Sequence, residues 1–145
     1  HPMLILRRVI LSILLVSFLL AAAFPGIVYV IGIYRVDGRP VPANPESYSQ
    51  EVIDKAWSQC SEKLPVTVKP TNPWALASKF LFGNPMRTTP GERAAWRIAS
   101  TYNAAHRMGN NTWWHTSGAA LTIWVTRQWS AQQIAATLVR DNLCK

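Results

Sequence analysis

Acidic side chains are scarce in this chain: seven Asp and Glu stand against fifteen Lys and Arg in 145 residues, a formal net charge of +8. In residues 40–145 there are eleven bases and six acids, and four of those acids (Glu46, Glu51, Asp54 and Glu62) fall close together. Glycoside cleavage by paired carboxylates needs two acids facing one cleft, and no second acid is evidently placed. Cysteine is nearly absent too. Cys60 and Cys144 are the only two, with no C-x-x-C and no His/Cys cluster, so no metal site is expected. There is no G-x-S-x-G elbow for a serine nucleophile, although Ser, His and Asp all occur. His106 and His115 are read as packing or surface residues on separate helices. No cofactor motif is present. The basic charges are dispersed, which argues against nucleic acid; a surface of this sign suits anionic lipid or pyrophosphate-linked molecules, or serves solubility alone.

What is abundant is apolar sequence. Residues 9–33 carry no charge and are rich in Leu, Ile and Val. About 20 apolar residues cross a bilayer as a helix, so this run predicts a single transmembrane anchor. Arg7-Arg8 before it and Ala21-Ala22-Ala23 within it also fit a cleavable signal peptide. Pro25-Gly26 is expected to kink or shorten the helix near its outer end. Arginines flank both sides, so charge alone does not orient it. The short N-terminal flank and the position of both cysteines beyond the anchor favour an N-inside, C-outside topology. A Cys60–Cys144 disulfide is expected in such an oxidising compartment; two unrelated buried thiols are the alternative. The expected organisation is a flank at 1–8, an anchor at 9–33, a proline-rich connector at 34–47 that holds the domain off the membrane, and a helical domain at 48–145.

The domain reads as all-α. A helix from Ser47 to about Glu62 carries Val52, Ile53, Ala56, Trp57 and Cys60 at helical spacing. Val66–Lys69 is a short extended piece bounded by prolines. Asn72-Pro73 opens a helix to Phe82. Thr89-Pro90-Gly91-Glu92 reads as a capping box for a helix to about Arg107, with Ala95, Ile98, Ala99 and Tyr102 inward. Another helix covers about Thr112 to Gln128. Ser130-x-x-Gln133 is a second capping box, for a last helix to about Asn142. Seven tryptophans sit in this domain; they suit core or interface packing, with a carbohydrate platform as the less common use.

The segment from Trp113 to Ile134 resembles the R-K-x-x-E-A-x-x-A-x-x-L-E-x-x-x-S-K-x-E-I-L stretch of the bacterial peptidoglycan glycosyltransferases, in register through Ala119, Val125, Arg127, Ser130 and Ile134. The charged positions depart: His115 stands for the lysine, Gly118 for the first glutamate and Thr126 for the second. Pro90 to Ala99 resembles the family's G-G-S-T-I-T-Q-Q-L-A, keeping Gly91, Ile98 and Ala99. Where residues 138–145 stand, the family reads L-Y-L-N and continues into further helices that complete its clefts. The resemblance implies a lysozyme-like, glycosyltransferase-like helical domain, as a truncated and degenerate member. The family's E-D-x-x-F-x-x-H-x-G motif implies a catalytic glutamate near Ser61, and Glu62 is the nearest candidate base. Arg93, Arg97, Ser100 and Arg107 share one helical face, a candidate anion site. Trp74, Leu76, Phe80, Leu81 and Phe82, flanked by Lys69, Lys79 and Arg87, are either core or a membrane contact like the family's dip into the bilayer. The implied function is a non-catalytic protein of the inner (cytoplasmic) membrane, its C-terminal domain extracytoplasmic, binding a lipid-linked peptidoglycan precursor or another envelope protein. The alternatives are an active transglycosylase and an accessory subunit of a larger membrane complex.

Overall fold

The structure, a computed structural model, describes residues 2–145. It is all-α, as expected. The helices are α1 (Pro2–Tyr34), α2 (Gln50–Gln59), α3 (Pro73–Phe82), α4 (Glu92–His106), α5 (Trp114–Gln128) and α6 (Ala131–Asp141). Short 3₁₀ turns precede α2 and α5. No strand occurs among the described residues; Val36 and Arg107 form one isolated antiparallel bridge.

α1 is long and apolar enough to cross a membrane, and none of its most apolar stretch is buried by the protein. Pro25 does not end it; the helix continues to Tyr34. Its last turn enters the domain. Gly32 and Ile33 are buried, and the Ser117 hydroxyl donates to the Gly32 carbonyl at 2.9 Å. A Cβ at Gly32 would lie 2.8 Å from the Thr116 carbonyl oxygen and 2.9 Å from the Ala120 Cβ. Only glycine lets α1 and α5 approach this closely.

The main core lies between α2, α4, α5 and α6, around Trp57, Val125, Ile134 and Leu138. A smaller cluster of Ile33, Val36, Ala99, Ala120 and Leu121 joins α1 to α4 and α5. The connector is no spacer. The Met108 N–H donates to the Arg35 carbonyl and the Asp37 N–H to that of His106, both at 2.9 Å. The Ala43 N–H donates to the Thr137 hydroxyl at 2.9 Å, and Arg140 donates to the Val41 carbonyl. Its prolines lack N–H donors, but these four backbone groups find partners at the end of α4 and on α6. The domain therefore sits directly on the end of α1.

Local signals account for most helix starts. The Asn72 side chain accepts from the Ala75 N–H, with Pro73 at the first position. Ser130 and Gln133 form the full reciprocal capping box of α6. α4 departs from expectation: its N-cap is Gly91 at φ 81°, with no capping side chain of its own. The region 66–69 forms no strand, and only the Lys69 N–H reaches across, to the Pro90 carbonyl.

Candidate functional site

The start of α4 shows what Glu62 does. Four N–H groups at a helix start lack intrahelical partners. Here Glu62 supplies acceptors from outside the helix. Its Oε1 accepts from the N–H of Arg93 at 2.9 Å and of Ala94 at 3.3 Å. Its Oε2 accepts from the Gly91 N–H at 3.1 Å. The Arg93 guanidinium donates back to the Ser61 carbonyl at 3.1 Å. The expected base is thus the cap of α4, held by three backbone donors at the positive end of a helix dipole.

Thr89 and Glu92 make half of the expected capping box. The Glu92 carboxylate accepts from the Thr89 N–H and hydroxyl at 3.0 and 3.1 Å. The reciprocal arm is missing: the Glu92 N–H donates to the Thr89 carbonyl at 3.1 Å, and the Thr89 hydroxyl is itself a donor to Glu92. Glu92 also pairs with Lys79 of α3. Burial pushes its pKa up, but the Lys79 bond, the Thr89 bonds and the Lys79 charge outweigh that, so it titrates below its ordinary value.

Beside this pair lies an open cleft of about 810 Å³, within the usual size range of small-molecule sites. Leu76, Lys79 and Phe80 of α3 line it, then Pro85 and Met86. Arg93, Trp96 and Arg97 of α4 line it as well. Arg97 has no side-chain partner among the described residues, and Arg93 keeps donors beyond the one given to Ser61. The one acid lining the cleft, Glu92, is neutralised by Lys79. Trp96 rests on Gly118, where a Cβ would come within 3.1 Å of the indole ring. Any larger side chain at Gly118 would displace that ring.

The proposed basic face divides. Arg93 and Arg97 meet in the cleft. Ser100 does not line it, and its hydroxyl donates to the Arg97 carbonyl. Arg107 lies past the end of α4 in extended backbone, roughly 21 Å from Arg93 at 1.5 Å per residue. A 14-residue separation places two residues on one helical face but not at one site.

α3 buries no residue. Trp74, Phe80, Leu81 and Phe82 are 53%, 63%, 73% and 89% exposed, so the core reading of this cluster is set aside. The Trp74 indole packs on Gly26 and donates to the Ala22 carbonyl at 2.6 Å. α3 therefore lies along the apolar stretch of α1.

Cys60 and Cys144 are bonded, with Cα atoms 5.1 Å apart. The bond fixes the end of α2, and hence the Ser61–Glu62 cap, against the end of the chain, and both cysteines border the cleft. Sequence reading missed Trp96 as a cleft residue and Lys79 as the partner of Glu92. Lys79 carried a signal as a base among apolar residues. Trp96 carried only its helical register with Arg93. No protein-family model, curated protein or solved structure matches the chain.

Proposed function

We propose that this chain is a single-pass protein of the cytoplasmic membrane whose extracytoplasmic domain binds, without turnover, the anionic head group of a lipid-linked envelope precursor. One observation carries the reading: one cleft is lined by Arg93 and Arg97 of α4 and by apolar residues of α3, and α3 is docked on the apolar helix α1. Placing Arg7 and Arg8 at the inner surface, about 30 Å of hydrocarbon takes roughly 20 residues and ends near Val28. The Trp74 indole then lies just inside that boundary, where an N–H must find a protein acceptor, and the Ala22 carbonyl supplies it. A ligand with an apolar tail and a phosphate-bearing head matches this mixed lining.

The same arrangement supports binding without chemistry. A general base must be free to reach its proton, and the Glu62 carboxylate is engaged by three backbone N–H groups. The position at which the glycosyltransferase resemblance expects a glutamate, Gly118, lies under Trp96. The test is to add a lipid-linked disaccharide to the full chain in detergent micelles. Saturable binding, weakened at least tenfold by Arg93→Gln with Arg97→Gln, and no glycan product are expected. Glycan chains that disappear with Glu62→Gln would overturn the non-catalytic reading. Absence of binding would overturn the ligand and leave a protein partner as the occupant.

A further inference from the structure

A second basic cluster lies away from the cleft, where α1 leaves the membrane. The bridge between Val36 and Arg107, with backbone bonds from Asp37 to His106 and from Met108 to Arg35, holds residues 35–37 against 106–108. Arg35 and Arg107, far apart in sequence, are thereby brought onto adjoining backbone segments. The Arg35 guanidinium sits over the Trp113 ring at 5.4 Å from its centroid. Arg39 folds back on the carbonyls of Val36 and Gly38. Asp37 is the one acid in these segments, and among the described residues it makes no ion pair with the three arginines. Three arginines against one aspartate leave an excess of two positive charges. Arg35, Arg107 and Met108 are exposed.

Depth decides what this cluster meets. With the hydrocarbon boundary near Val28, Arg35 lies seven helical residues further out, roughly 10 Å. The head-group layer occupies about 5 to 8 Å on each side of the hydrocarbon. The backbone of the cluster therefore lies just past that layer, with the head groups within reach of long arginine side chains, and Trp113 is of the type enriched at the interface. We propose that Arg35, Arg39 and Arg107 form a site for anionic phospholipid head groups of the outer leaflet, separate from the cleft. Two such anchoring points, α3 on one side of α1 and this cluster at its exit, fix the tilt of the domain. The proposal shares the bilayer placement used for the cleft but requires no cleft ligand.

The full chain is reconstituted in phosphatidylcholine bilayers containing a minority of phosphatidylglycerol. After mild extraction, the phospholipids that stay with the protein are identified by mass spectrometry. The wild type is expected to retain phosphatidylglycerol above its bulk share, and Arg35→Gln with Arg107→Gln to lower that enrichment by about fivefold for each arginine. Arg93→Gln with Arg97→Gln should leave it unchanged, which separates this site from the cleft. Helix content by circular dichroism checks that each variant is folded. Enrichment that survives Arg35→Gln with Arg107→Gln overturns the proposal, as does loss caused by the cleft variant instead. Equal competition by soluble glycerol phosphate would show a free-phosphate site and overturn it as well. Loss of precursor binding with enrichment intact would count against the cleft reading alone.

Discussion

α3 and α6 are helices of nearly the same length, and each starts on a near-ideal local signal. α6 opens on a reciprocal capping box and buries Ile134, Ala135, Ala136, Thr137 and Leu138. α3 opens on a capping asparagine followed by proline and buries nothing. Its apolar residues are larger: Trp74, Leu76, Phe80, Leu81 and Phe82. Size and hydrophobicity therefore do not decide which helix becomes core. The apolar residues of α6 form one stripe that fits between α2 and α4. Those of α3 surround the helix, and its neighbours are α1 and the cleft. Helices apolar on all sides belong in a core or against lipid, and protein covers α3 only in part.

The largest effect should come from cutting the tie that holds the α6 end of the molecule. Cys60→Ser with Cys144→Ser opens a closure of 84 residues, which costs about 4 kcal/mol in the chain-entropy account. Chemical denaturation in detergent measures it. An unchanged midpoint would mean that packing between α2 and α6 alone holds this end.

The comparison itself is tested by matched truncations. Leu138→Ala, in a side chain 2% exposed, should cost about 3 kcal/mol through lost contacts and the cavity left behind. Phe80→Ala, although it removes a larger side chain, should cost well under about 1 kcal/mol because little protein surrounds it. In bilayers with brominated lipids, Trp74→Phe should remove a quenched component of the tryptophan fluorescence. If Phe80→Ala proves as costly as Leu138→Ala and quenching is unaltered by Trp74→Phe, α3 is core and the contrast fails. The experiment needs the whole chain, because Ile33 and Val36 belong to the domain core and removing α1 would open it.

A smaller effect separates the two ways of starting a helix. Glu62→Gln leaves one carbonyl where two charged oxygens had served three N–H groups, at an expected cost of about 1 to 2 kcal/mol. Ser130→Ala removes one local cap of α6 and should cost about 1 kcal/mol. A Glu62→Gln protein as stable as wild type would free Glu62 for another task.

The smallest effect concerns the link between α3 and α4. Glu92 has its pKa lowered in the folded protein, so its ionised form favours folding. That contribution is complete above its ordinary value of 4.5. It is lost as pH falls through the lower folded value. Lys79→Met should remove this acid-side dependence and cost no more than about 1 kcal/mol at neutral pH, since the pair is partly exposed. Midpoints measured from pH 6 down to about pH 3 test the sign; stability rising on acidification would contradict it.

The amino-acid sequence determined the local events. Residues 9–33 could only be a long apolar helix, because no charge interrupts them. Asn72-Pro73 and Ser130-x-x-Gln133 set two helix starts, because their caps act within three residues. The inward face of α4 followed from spacing alone. Tertiary structure decided everything that depends on a distant partner. Thr89-Pro90-Gly91-Glu92 reads as a self-sufficient cap, yet the N–H groups of Gly91, Arg93 and Ala94 are held by Glu62 from about thirty residues away. The face of Arg93, Arg97, Ser100 and Arg107 is continuous on a helical wheel. The fold splits it between a cleft and the exit of α1, because periodicity fixes direction around a helix and says nothing of depth along it. The proline-rich connector reads as a spacer, but two of its N–H groups and two of its carbonyls find partners at the end of α4 and on α6. Periodicity marks which side of a helix is apolar; whether protein or lipid covers that side depends on where the rest of the chain goes.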